Sequence, residues 1–442
     1  TFTVIMCLVL IVATTTAAML LPKPIRAPWI PIACAALFLL LRDVPGVVRL
    51  VASTFFLLTI MKAWSVLERP KHKVSSLDWF YFWTIWPGFD LESFERREQA
   101  HASTAKYFSS GLCWAVTGVC TFVATAYFWD LIPIGVRSWI AIFSLLSIIH
   151  FGISGILLTL LRMQGRPVKP LFMFPFQSKT LMEFWTRRWN MAFVEMGRRL
   201  FQPRLNRIVG RKNAVFGIFI ISAGLHELAI SYPSRGGYGL PSLYFLLTLV
   251  GILVERKLRI RSRLWTAIWI LLPLPLLFHI PFHQTFISPM MVAVHDLLHK
   301  WTLETYLGIL LWVLPLAQLL VLAASIQVPI KLNWKSELQL LNPFNRKLMW
   351  VYGGFIVSCI LGFSIITAVL HNEFLEGGKT QAVLAAFMCL FWVQRLLVDR
   401  FYFSDEDWPS ELNMRVGHSL LNALFLFLAI SYGLTCAWSL WR

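Results

Sequence analysis

Acidic residues are scarce in this sequence: 22 Asp and Glu stand against 40 Lys and Arg, and charged side chains of both signs make up only 14% of 442 residues. With 57% of its residues hydrophobic, the chain lacks the polar surface of a water-soluble domain. Its seven cysteines include no CxxC pair, which removes the common zinc and thiol-redox signatures and leaves them as small apolar residues. A Gly- or Ser-rich linker and a Gly-rich phosphate loop are missing as well. No strong internal repeat is present, which argues against a transporter built from matched halves. The formal net charge of +18 is spread between apolar runs and forms no separate basic domain, so nucleic acid is not an expected partner.

Long apolar runs are what the chain has in abundance. With a mean hydropathy of +0.66, they predict an all-α polytopic membrane protein of about 11–12 transmembrane helices. Expected spans are 3–22, 29–41, 46–66, 109–129, 137–161, 213–233, 240–255, 264–282, 303–326, 349–370, 380–398 and 416–438. Threading these as alternate crossings collects Lys and Arg on one side. The stretch 162–212, with twelve basic residues against Glu183 and Glu195, is the richest segment and is assigned to the cytoplasm. The acidic Ser404-Asp405-Glu406-Asp407 goes against that assignment. The sequence begins at Thr1 rather than Met, which leaves room for a removed targeting segment.

Several stretches have a local reading. The aromatic run from Leu77 to Asp90 is too short for a crossing and reads as an interfacial or re-entrant segment ended by a Pro87-Gly88 turn. Glu92 to Gln99 reads as an exposed helix. Leu181 to Leu200 reads as one helix, with Thr180 as N-cap and Glu183 as its capping-box partner; its positive charges suit lipid headgroups or a phosphate-bearing ligand.

His226 and Glu227 sit inside the apolar 213–233 run, where ionisable side chains are costly and mark a candidate functional site. Neighbours on a helix point about 100° apart, so the two are expected to differ in role, Glu227 orienting His226 from another turn or pairing with a distant basic residue. His279 with His283, and His295 with His299, have the i, i+4 spacing of metal ligands, though Pro281 disturbs the first pair. The four spans after 303 carry no comparable polar cluster; Arg395 snorkels from a span's end and His418 starts another.

The run Phe184-Trp185-Thr186-Arg187-Arg188-Trp189-Asn190, followed after thirty-six positions by the His of Gly224-Leu225-His226-Glu227, resembles the membrane-bound O-acyltransferases, and within them the wax-synthase-like branch. Trp86-Pro87-Gly88-Phe89-Asp90 is similar to a short upstream motif of bacterial members. The resemblance implies a core enclosing a tunnel over residues 1–302, extra transmembrane helices over 303–442, and transfer of an acyl group from acyl-CoA to a hydroxyl acceptor. Carried over by position, His226 and Asn190 would be catalytic, and Arg187, Arg188, Trp189, Trp185 and Glu227 would bind substrate. No metal or other cofactor is required by this chemistry. Membrane lipids, a membrane-protein partner or a second copy are expected neighbours, in a bacterial inner membrane or the endoplasmic reticulum. The rival readings are a multi-span transporter and a catalytically inactive lipid-binding protein.

Overall fold

A computed structural model of the protein describes residues 41–68, 74–404 and 411–442. Among these residues every regular element is helical. Eight helices are long and apolar enough to cross a membrane, or nine when a bent pair is taken as one span. The expected span 3–22 and, apart from Leu41, the span 29–41 lie outside the described residues, as does the acidic 405–407. The chain forms two compact units: the described residues up to Ala100 with Lys106–Asp296, and His101–Ala105 with Leu297–Arg442.

The first unit contains α1 (Gly46–Leu67), α2 (Ala105–Tyr127), α3 (Ile134–Met163), α4 (Met191–Met196), α5 (Gly210–His226), α6 (Leu240–Leu258), α7 (Arg263–Leu277) and α8 (Ile280–Leu298). Helices α2 and α3 meet along a glycine seam. A Cβ on Gly155 would fall 2.6 Å from the Tyr107 carbonyl oxygen, and one on Gly111 would fall 2.8 Å from that of Gly152. Small residues allow this approach in a membrane, where van der Waals packing is the main adhesive between helices. The expected straight span 264–282 is bent instead, α7 and α8 meeting at 64°. Pro273, Pro275 and Pro281 remove backbone donors there, and His279 Nδ1 caps the restart by accepting from Phe282 N at 3.3 Å.

The segment after α1 is tied down by buried charge. Lys62, 1% exposed, donates to the carbonyls of Phe82 and Trp86 at 2.5 Å. A short helix, Ser76–Phe80, widens into a π turn, Tyr81–Ile85. Asp78, 2% exposed, accepts from Arg166 Nε and Arg97 Nη2 at 2.6 Å each and pairs with Ser75 Oγ at 2.5 Å. Burial disfavours its charge, but these hydrogen bonds outweigh burial and hold its carboxyl below the usual carboxylate range. The expected exposed helix over Glu92–Gln99 shortens to Glu92–Glu95. Phe94 is drawn into the core against Phe82, with ring centroids 5.9 Å apart, while Arg97 is held by Asp78.

The second unit is a bundle of α9 (Leu303–Lys331), α10 (Pro343–Val369), α11 (Lys379–Phe401) and α12 (Leu412–Trp441), packed around Leu311, Leu314, Met388, Trp392 and Leu428. It corrects the expectation that these spans lack polar clusters. Tyr432 Oη meets Thr367 Oγ1 at 2.5 Å and accepts from Gln318 Nε2. Asp399 meets His418 Nε2 at 2.8 Å and accepts from Asn422 Nδ2 at 2.6 Å. The partners come from different helices, so spacing along the chain does not reveal them.

Candidate functional site

The loop before the signature run is stitched to its end. Met173 N donates to the Arg188 carbonyl at 2.9 Å, and Met191 N to that of Leu171 at 2.8 Å. Thr180 is the expected N-cap, its Oγ1 accepting from Glu183 N at 3.0 Å, and the Glu183 carboxylate accepts from Lys179 N at 3.0 Å. The helix does not continue to Leu200. It widens into a π turn at Phe184–Arg188 and breaks at Trp189, whose φ of −105° and ψ of 130° are extended. Asn190 then adopts a left-handed conformation, φ 44°, which short polar side chains tolerate best.

This break orients Asn190. Its Oδ1 accepts from Phe193 N at 3.1 Å, capping α4. Because the cap must be an acceptor, the amide's Nδ2 is the end left to donate elsewhere.

His226 closes α5 just before another π turn, Glu227–Ser231. Its Nδ1 donates to the Ser222 carbonyl at 2.7 Å, so Nε2 bears the lone pair. Phe245 of α6 lies against the imidazole, with centroids 4.6 Å apart. His226 and Asn190 open onto the same pocket, of about 180 Å³, whose walls include Trp185, Trp189 and Phe245. Trp185 Nε1 is buried and has no partner among the described residues.

Three of the expected substrate-binding residues do not line this pocket. Arg187 is exposed. Arg188 is engaged elsewhere: its Nε donates to Glu183 Oε1 at 2.6 Å, and its Nη1 to the carbonyls of Met173 and Phe174 at 3.1 and 3.3 Å. It thereby braces the Pro-rich loop at Phe174, itself left-handed with φ 48°. Among the described residues Glu227 makes no hydrogen bond to His226 and no salt bridge to a distant base. Its carboxylate accepts from Ser242 N at 2.9 Å, Ser242 Oγ at 2.8 Å and Gly239 N at 3.1 Å, capping α6.

In their place the pocket gains Arg198 and Gln202, which the sequence reading passed over. No periodic signal marked them: Asn190, Val194, Arg198 and Gln202 are spaced by four, which drifts off one face of a regular helix, yet all four line the pocket. The paired histidines go to structural bonds. His279 Nε2 meets Ser231 Oγ at 3.3 Å, His283 Nε2 donates to the Phe278 carbonyl at 2.9 Å, and His295 Nδ1 donates to that of Ala126 at 2.9 Å. Among the described residues no three His, Cys, Asp or Glu side chains are grouped to hold a metal ion.

Residues 168–248, which include both Asn190 and His226, match the membrane bound O-acyl transferase family. The chain is also 27% identical over 137 residues to an acyl-CoA–sterol O-acyltransferase of Arabidopsis thaliana, an alignment that takes in 25% of this chain and 40% of that protein. The likeness thus spans well under two thirds of the plant relative. The segment that joins the capped amide to the intramembrane imidazole is thus the part of the chain that is similar to the membrane bound O-acyl transferase family.

Proposed function

We propose that the protein is a membrane O-acyltransferase, wax-synthase-like, which moves an acyl group from an acyl-CoA thioester to the hydroxyl of a membrane-dissolved alcohol. The observation that carries this reading is the shared pocket: His226, whose Nε2 keeps its lone pair, and Asn190, whose Nδ2 is left to donate, line one space. His226 Nε2 takes the hydroxyl proton as the alcohol oxygen attacks the thioester carbonyl. General-base help of this kind is worth roughly 10²–10⁴ in rate. The oxyanion that forms needs donors already in place, and Asn190 Nδ2 and Trp185 Nε1 are the candidates, one such donor being worth about 10²–10³. Collapse of the tetrahedral intermediate expels the CoA thiolate, which recovers the proton from His226. Arg198 and Gln202 supply polar contacts for the donor's head on the basic side of the membrane. The acyl-CoA donor is also what the plant relative's name specifies for that protein.

The test is His226→Ala in purified protein, with CoA release and ester formation followed together. Turnover is expected to fall by at least about 10²-fold, with an unchanged thermal melting temperature. Undiminished ester formation would remove His226 from the mechanism and leave a lipid-binding role for the pocket.

A further inference from the structure

The stretch Trp86–Asp90 takes no part in the mechanism above, yet both of its ends are tied by charge. Lys62 holds its start through the carbonyls of Phe82 and Trp86. At its end Asp90 is 8% exposed. One carboxylate oxygen of Asp90 accepts from Ser93 Oγ at 3.0 Å and from Lys169 Nζ at 3.4 Å, and the other accepts from Arg199 Nη2 at 2.5 Å. Arg199 Nη1 donates in addition to the Phe89 carbonyl at 3.1 Å. One guanidinium thus grips both the Asp90 side chain and the backbone before it, a two-pronged hold that a planar Arg makes and a Lys cannot.

Arg199 belongs to the π turn Gly197–Phe201, and its neighbour in that turn, Arg198, lines the pocket of His226 and Asn190. The two arginines serve opposite faces of one short piece of backbone. On the inner face Leu200 and Met196 are buried in the same core cluster as Trp86 and Phe89, and Phe201 meets Trp64 of α1 edge-on with centroids 5.6 Å apart. On the outer face Arg198 is exposed, so its reach into the pocket depends on the backbone of the turn. A widened turn gives up regular bonding and holds only where packing and side-chain bonds make up the loss. The bonds of Arg199, one of them to a charged acceptor, are of the strong kind.

We infer that Asp90 is a positioning residue for the donor: by gripping Arg199 it fixes the widened turn, and through the turn the Arg198 guanidinium that meets the phosphate-bearing head of CoA. This rests on the reading of the pocket as the acyl-CoA site. A binding group is effective when its neighbours hold it in place before the ligand arrives. Asp90 has the wrong sign of charge to attract a phosphate, so its contribution to donor binding runs through the geometry of the turn and not through its own field.

The test is the Kd of CoA for the purified full chain in detergent, measured by isothermal titration calorimetry, with hydrogen exchange read by mass spectrometry on the same samples. Asp90→Asn removes a negative charge, so a field effect alone would tighten CoA binding or leave it as it was. The positioning role predicts the opposite sign, a Kd raised about two- to fivefold, up to the cost of losing the Arg198 contact itself. Arg199→Lys keeps the charge, loses the two-pronged hold and should weaken CoA in the same direction. In an Arg198→Gln background Asp90→Asn should have no further effect, because the two act through one contact. Amides of the Gly197–Phe201 turn should exchange about tenfold faster in Asp90→Asn, the opening expected when a charged hydrogen bond is weakened, while those of the second unit keep their rates. CoA binding that is unchanged or tighter in Asp90→Asn, effects that add fully with Arg198→Gln, or exchange that is faster throughout the chain each overturns the inference while the acyl-CoA reading stands. If Arg198→Gln alone leaves the Kd unchanged, the donor reading at Arg198 falls and takes the link from Asp90 to the donor with it.

Discussion

Glu227 provides the sharpest separation between holding the site and doing its chemistry. It neighbours His226 in sequence, yet its carboxylate binds the first turn of α6 through Ser242 N, Ser242 Oγ and Gly239 N. Removing it strands the Ser242 amide in a half-buried position, while Gly239 N lies where water can reach it. A hydrogen bond to a charged group contributes roughly 1.5–3 kcal/mol and loss of a helix cap roughly 0.5–2 kcal/mol. The two descriptions overlap here, so Glu227→Ala should cost about 1–3 kcal/mol. Glu227→Gln keeps one acceptor oxygen and should cost less. The effect on catalysis is indirect: α6 carries Phe245, three residues past Ser242, which packs on the imidazole. Thermal unfolding in detergent, followed by tryptophan fluorescence, should show a clear drop for Glu227→Ala and a smaller one for Glu227→Gln. Turnover well below the transition should fall by less than about tenfold, a displaced Phe245 being the cause. An unshifted transition together with a loss of turnover as deep as that of His226→Ala would refute the reasoning and put Glu227 among the reacting groups.

Two further predictions concern charge. Arg198→Glu should raise the KM for acyl-CoA roughly two- to fivefold, the size expected for one exposed ionic contact, and Arg187→Glu should leave it unchanged because Arg187 lies outside the pocket; steady-state kinetics on both variants decides this. Asp78→Asn leaves Arg166 buried without its counter-charge, which typically costs about 3–5 kcal/mol. The folded Asp78 carboxyl sits below its unfolded value of about 3.9, so its contribution is fully present above that pH and is lost as the pH falls through the folded value. Melting curves should therefore separate the wild type from Asp78→Asn by a constant margin between pH 5 and pH 8, the margin closing only below about pH 4.

The membrane class, the eight long spans and the N-cap at Thr180 were legible because each rests on local pattern: a long apolar run, or a hydroxyl placed three residues before a carboxylate. The meeting of Asn190 with His226 was legible only through resemblance, since thirty-six positions separate them and no periodicity joins the two. What stayed hidden depends on partners distant in sequence. Asp78 and Arg166 lie eighty-eight positions apart, and the Asp399–His418–Asn422 cluster joins two helices. Arg187 and Arg188 attracted attention by lying inside the signature run, whereas Arg198 reaches the pocket from the next turns of chain.

The failure at Leu181–Leu200 has the same physical origin as the site itself. Positions spaced by four drift about 40° per step around a helix of 3.6 residues per turn, so Asn190, Val194, Arg198 and Gln202 would leave a common face of a regular helix within three steps. They keep to one pocket because the chain widens into a π turn at Gly197–Phe201, whose extra residue takes up the drift. Further π turns precede Trp189 and follow His226. Among the described residues all six such turns fall between Tyr81 and Ile287, in the first unit, while the helices of the second unit contain none. Each gives up regular backbone bonding, which is stable only where neighbouring packing makes up the loss. Three of the six adjoin pocket residues, which fits a unit that has to bring an imidazole, an amide and a guanidinium to one space from a helix end, a left-handed residue and a widened turn. Strict helical periodicity would have turned the Arg198 guanidinium about 80° away from the Asn190 amide, and so the periodic reading fails where the chemistry is placed.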